Sequence, residues 1–161
     1  MKKFFPFLTI LLLFTLDRTT KFMIVDHLKE SQSVPVWPGV FHLTRVNNTG
    51  AAFGMLRGNA ELLTIISVVC VMGISTVLLR DFFVRSRSHS VEATFFNRFR
   101  NLALALVAAG AAGNLYDRIR YGYVIDFLDF RIWPVFNIAD SAVCAGIFLM
   151  VLSLFRTGKT S

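Results

Sequence analysis

The chain has 161 residues, 55% of them hydrophobic and 17% charged, with a formal net charge of +7. That length fits one domain, and the apolar share is above that of an ordinary soluble domain. The apolar residues fall in blocks with basic residues mainly at their ends, which argues against a nucleic-acid-binding face and for orientation in a membrane.

The first block, Phe4–Val25, follows Lys2 and Lys3 and imitates a secretory signal peptide. No small-residue cleavage site follows it. Asp17-Arg-Thr-Thr-Lys21 appears instead, so the block reads as a first transmembrane helix with a polar cluster in its outer half. Asp17 and Lys21 stand at i and i+4, most simply as a salt bridge. The segment Asp26–Asn59 is not helical by pattern. Its Val34–Val46 stretch is β-branched, aromatic and interrupted by prolines, which predicts short edge strands. Asn47-Asn-Thr-Gly50 reads as a turn, followed by Ala51–Gly54. A small sheet lying on the membrane surface is expected, with Trp37 and Trp133 in the interfacial aromatic belt.

Three further apolar segments follow: Leu62–Leu79, Asn101–Tyr116 and Ile138–Phe155. Each approaches the ~20 residues needed to span a bilayer core. Asn101–Tyr116, the third of the four, is the shortest and would reach only ~24 Å. Its small residues, including Ala105, Ala108, Gly110 and Gly113, let neighbouring backbones approach closely, so it is expected at the centre of a four-helix bundle. Asn114, Asp117 and Arg118 share one face at its end. Pro134 suits the first turn of the fourth helix, after which Asn137, Asp140 and Cys144 line one face. The cysteines, Cys70 and Cys144, lie within apolar blocks and are expected to act as buried small hydrophobes. Neither they nor His27, His42 and His89 show disulfide or metal-ligand spacing.

Lys2 and Lys3, the basic residues from Arg80 to Arg100, and Arg156 with Lys159 would all be cytoplasmic by the positive-inside rule. The other side also carries basic residues, so the bias is moderate, but it agrees with four spans and both termini inside. Asp17, Asp117, Asp126, Asp129 and Asp140 then gather toward the outer face.

Taken singly, each acid has a plain structural explanation: an ion pair, a helix cap, a loop carboxylate. Together they place carboxylates from distant parts of the chain at one membrane boundary, where unpaired ionisable groups are costly. Two carboxylates brought together share one proton, and the pair can then activate water. On the residues alone, Asp117, Asp126, Asp129 and Asp140 all remain candidates. Ser141 and Cys144 lack an evident base. A proton-coupled transporter is a rival reading, but no internal repeat is seen and the acids lie on one side. A lipid-binding scaffold gives no reason for paired aspartates.

Five blocks carry a resemblance: Asp17-Arg-Thr-Thr-Lys21, Asn47-Asn-Thr-Gly-Ala-Ala-Phe53, Gly113-Asn-Leu-Tyr-Asp-Arg118, Gly122-Tyr-Val-Ile-Asp-Phe127 and Phe136-Asn-Ile-Ala-Asp140. In order and spacing they resemble lipoprotein signal peptidase, or signal peptidase II, across nearly the whole chain. The resemblance implies a bacterial inner-membrane aspartyl protease with four transmembrane helices and a small extracytoplasmic sheet, forming one domain over residues 1–161. It implies a catalytic pair at Asp126 and Asp140. Asp17, Lys21, Asn48, Gly50, Asn114, Asp117, Arg118, Asn137 and Ala139 would shape or support the site. Substrates would be diacylglyceryl-modified prolipoproteins cut before the lipidated cysteine, and the antibiotic globomycin would occupy the dyad. No metal, organic cofactor or nucleic acid is implied, and a monomer embedded in lipid is expected. Ala109, in place of a paired glycine, and Ile125, in place of valine, are minor departures.

Overall fold

The computed structural model describes residues 4–50, 59–84 and 91–157. The chain runs α1 (Phe5–His27), β1 (Ser33–Trp37), β2 (Phe41–Asn48), α2 (Ala60–Val84), α3 (Val91–Tyr121), β3 (Val124–Asp129) and α4 (Ile138–Thr157). Central α3 packs against each of the other three helices. Its buried Ala103, Ala105, Ala108 and Ala109 allow this. A Cβ on Gly110 would sit 2.2 Å from the backbone oxygen of Ala139, and one on Gly113 would sit 2.8 Å from Asp17 Oδ2. Only glycine lets α3 approach α4 and α1 that closely.

Helix α3 is much longer than its apolar block. At 31 residues it reaches ~46 Å, because charged turns on both sides continue the helix. It ends at Gly122, whose positive φ of 78° and N–H to the Arg118 carbonyl (2.9 Å) close the last turn. Asp117 and Arg118 therefore lie at the C-terminal end of the helix, Arg118 in its last turn, as the sequence implies. Pro134 stands outside α4, four residues before Ile138. The first turn of α4 is closed instead by Asn137 and Asp140, as described below.

The sheet has the antiparallel order β1-β2-β3. β3 was not expected, since Val124–Asp129 reads as a connection. Residues 47 and 48 also continue β2, paired with Ile125 and Val124, so the expected turn begins only after them. Residues 51–54 lie outside the described residues. On its other side β3 is bridged by Phe136, whose carbonyl accepts from the N–H groups of Phe127 and Leu128. Ile24 of α1 and Leu28, which follows it, pack against Ile125 and Phe127 of β3, which ties the sheet to the bundle.

Large apolar side chains are exposed along α1, α2 and α4, among them Leu11, Leu12, Ile65, Val69, Met72, Ile147 and Phe148. A soluble monomer rarely leaves so much apolar surface contiguous. Among the described residues, one helix, Glu61–Phe83, is long and apolar enough by itself to cross a membrane, and Ile138–Ser153 is a shorter apolar helix. The four-span expectation thus has one unambiguous span. Asp17, Arg18 and Lys21 interrupt the apolar run of α1. Cys70 and Cys144 are both free and exposed on the apolar helix surfaces, not buried as expected, so Cys144 does not face inward beside Asp140.

Candidate active site

The site begins with the start of α4. Asn137 Oδ1 accepts from the Asp140 N–H at 2.9 Å, and Asp140 Oδ2 accepts from the Asn137 N–H at 3.3 Å. This reciprocal pair resembles a capping box, with Asn at the cap and Asp three residues on. The neighbouring N–H of Ala139 donates to Asp17 Oδ1 at 3.1 Å. A carboxylate from α1 thereby satisfies another helix-start donor and favours the positive end of α4.

Asp126 arrives from β3 and is 1% exposed. Its Oδ1 accepts from Asn137 Nδ2 at 2.7 Å, and its Oδ2 accepts from Asn48 Nδ2 at 2.8 Å. Asn48 lies diagonally opposite on β2, close enough for this reach. Asn48 Oδ1 in turn accepts from the Gly50 N–H at 2.9 Å. Asp140 Oδ1 accepts from Asn114 Nδ2 at 2.7 Å. Asn114 Oδ1 receives Asn137 Nδ2 at 3.1 Å and Lys21 Nζ at 3.0 Å. Asp126 and Asp140 are therefore linked through both Asn137 and Asn114. Burial, followed by the charge of Asp140, pushes the Asp126 carboxyl up to about 7, against the opposing hydrogen bonds from Asn48 and Asn137.

Behind these asparagines lies a quartet of charges, buried at Asp17, Lys21 and Asp117 and half-buried at Arg18. Lys21 Nζ contacts Asp17 Oδ2 at 3.1 Å and Asp117 Oδ2 at 2.7 Å. With its bond to Asn114, its three donors are all used. Arg18 spans the same carboxylates, reaching Asp17 Oδ2 and Asp117 Oδ1, each at 2.5 Å. Two acids and two bases cancel, which makes the cluster tolerable in a low-dielectric setting. Asp117 Oδ2 also accepts from the Ile125 N–H at 3.2 Å, which fixes β3 one residue before Asp126. Arg118, the next residue on α3, is not an ion-pair partner of Asp117. Arg118 extends toward Ser67 Oγ of α2 at 3.4 Å and feels the charges of Asp140, Asp126 and Asp117.

Asp129 is set apart. Three residues along the strand from Asp126, it faces the opposite way. It accepts from Thr44 Oγ1 at 2.7 Å and from Arg131. Burial pushes its carboxyl up, but these hydrogen bonds and the Arg131 charge outweigh that and hold it below the usual range. Arg18 was the residue overlooked in the sequence. Its position beside Asp17 in a helix otherwise facing lipid was the available signal.

Comparison with known proteins agrees with this arrangement. The family model described as signal peptidase (SPase) II matches residues 9–156. The chain belongs to the signal peptidase II family. The lipoprotein signal peptidase of Halothermothrix orenii is 42% identical, covering 95% of this chain and 97% of that protein. That of Pelotomaculum thermopropionicum is 40% identical, covering 98% and 95%. A bacterial membrane enzyme solved at 2.3 Å resolution superposes with a TM-score of 0.81 at 28% identity, covering 97% of this chain and 90% of that one. Signal peptidase II membership makes the chain a membrane peptidase, a hydrolase of peptide bonds.

Proposed function

We propose that this signal peptidase II is an aspartic endopeptidase that removes signal peptides from diacylglyceryl-modified prolipoproteins, cutting before the lipidated cysteine. The observation that supports it most is the joining of Asp126 and Asp140 through Asn137 and Asn114, with one carboxyl titrating near neutrality. Such a pair holds one proton between pH values where an isolated aspartate would be ionised.

In the reaction the ionised carboxylate takes a proton from water as its oxygen bonds to the scissile carbonyl carbon. The protonated partner donates to the carbonyl oxygen, giving a neutral tetrahedral diol. Collapse re-forms the carbonyl, breaks the C–N bond and passes a proton to the leaving amine. The dyad is left with one proton, as it began. Asn48, Asn114 and Asn137 fix the carboxylate oxygens, Lys21, Asp17 and Asp117 brace the asparagines and β3, and Arg118 adds positive charge nearby. Gly50 and Ala139 contribute backbone donors.

All four helices would span the bacterial inner membrane, with both termini cytoplasmic and the acids at the outer face. The surface sheet and the Asn48–Phe53 turn, of which residues 51–53 lie outside the described residues, would cover the cleavage point, while the substrate's acyl chains stay in lipid. One copy carries both aspartates, so a monomer suffices. The test is cleavage of a diacylglyceryl prolipoprotein by purified protein in detergent or vesicles, with the cut bond located by mass spectrometry. Cutting before the lipidated cysteine is expected, with little turnover of the unlipidated precursor. Equal turnover of both forms, or a cut elsewhere, contradicts the assignment.

A further inference from the structure

Matching the charges around the aspartate pair leaves Arg118 over. Arg18 and Lys21 are both engaged by Asp17 and Asp117, so the quartet is neutral. The pair itself, holding one proton, carries a single negative charge. Among the described residues Arg118 forms no ion pair, although it feels the charges of Asp140 and Asp126.

Its place follows from the helix. Consecutive residues on α3 point about 100° apart, so Asp117 faces the quartet on α1 while Arg118 turns toward α2. Arg118 also stands one turn beyond Asn114, at i+4 on the same face, and Asn114 holds Asp140 Oδ1. The half-buried guanidinium is tied down by one long bond, from Nη1 to Ser67 Oγ at 3.4 Å. Ser67 donates its own proton to the Leu63 carbonyl at 2.9 Å, so toward Arg118 it only accepts. A guanidinium has five N–H donors in a planar fork that matches a carboxylate. Among the described residues, most of the donors of Arg118 have no partner. A cation so placed suits an anion that forms in the cleft.

Peptide hydrolysis makes one there. The oxygen of water ends on the carbonyl carbon, the C–N bond breaks, and the new acid loses the proton that the new amine gains. The signal peptide then ends in a carboxylate beside a pair that is itself negative, which is repulsive unless a cation stands close. We propose that Arg118 is the binding site for this product, its guanidinium taking the C-terminal carboxylate of the cleaved signal peptide. This role rests on the peptidase reading above and adds to it the group that recognises the product. In the uncut substrate the corresponding group is a neutral amide, so Arg118 favours the released peptide over the bond from which it came.

The test reads binding rather than turnover. A fluorescently labelled lipoprotein signal peptide ending at the residue before the cysteine is titrated with the purified full chain in detergent and followed by anisotropy. It is used once as the free acid and once as the C-terminal amide. The acid should bind at least about tenfold tighter at neutral pH, as expected for a hydrogen-bonded charge pair. Arg118→Gln, shown to be folded by thermal unfolding, should bind both forms equally. Arg118→Lys should keep part of the preference, because an ammonium retains the charge without the fork. Equal binding of acid and amide by the wild type, or an undiminished preference in folded Arg118→Gln, would overturn the site. A chain that cuts its lipidated substrate but shows no preference for the acid loses this site alone, whereas a chain that cuts nothing loses the peptidase reading.

Discussion

Asn137 donates to Asp126 Oδ1 at 2.7 Å, while the carbonyl oxygen of the same side chain accepts from the Asp140 backbone at 2.9 Å. One neutral amide thus sets the orientation of a strand carboxyl and closes the helix that carries the second. Its Nδ2 also meets Asn114 Oδ1 and the Ile125 carbonyl. Asn137→Ala should remove a donor from a buried carboxyl and a cap from α4. The expected cost is about 1–3 kcal/mol of stability, with a fall in kcat that exceeds any rise in KM. Thermal unfolding with steady-state kinetics checks both. A variant as active and stable as the wild type would show that Asp126 is oriented by other groups.

The pH dependence follows from Asp126. Its folded value near 7 lies above the ordinary carboxylate value of 3.8. Between those values the folded chain holds a proton that the unfolded chain has released, so this group's contribution to stability is full below about 4 and falls as pH rises toward 7. Activity should decline above about pH 7, as the pair loses its shared proton. A kcat/KM profile in vesicles measures this, and a profile flat from pH 6 to 9 would contradict it.

The quartet makes a different prediction. Lys21→Met would leave Asp17 and Asp117 facing Arg18 alone, with an uncompensated buried charge worth about 3–5 kcal/mol. Asp17→Asn keeps its size and part of its hydrogen bonding, so it should be milder, lowering thermal stability or raising KM while retaining some cleavage. Both are read by thermal unfolding in detergent and by residual turnover. A stable Asp17→Asn protein with no turnover would place Asp17 in the chemistry.

Much of this was legible in the sequence, for identifiable reasons. The apolar blocks marked all four helices, because a lipid-facing surface needs long apolar runs. The small residues of α3 marked the central helix, because close backbone approach excludes larger side chains. Asp17 and Lys21 were paired correctly by helical spacing. Other features depend on contacts between distant segments and leave no local periodicity. Asn114 and Asn137 lie 23 residues apart, and nothing in either neighbourhood shows that the Asn137 amide donates to the Asn114 carbonyl. The strand bearing Asp126 was read as a connection because its six residues are bounded by Gly122 and lack clean alternation. Helix α3 was underestimated because apolarity measures contact with lipid, whereas helix formation continues through charged turns.

The most direct measurement is the turnover of a lipidated prolipoprotein by Asp126→Asn and Asp140→Asn, each purified, shown to be folded and compared with wild type. Asparagine preserves size but cannot exchange the proton, and members of a catalytic unit are each nearly indispensable. Each variant should lose at least about a thousandfold in kcat while unfolding as cooperatively as the wild type. Substantial cleavage by either folded variant would contradict a mechanism in which the two aspartates act as a pair.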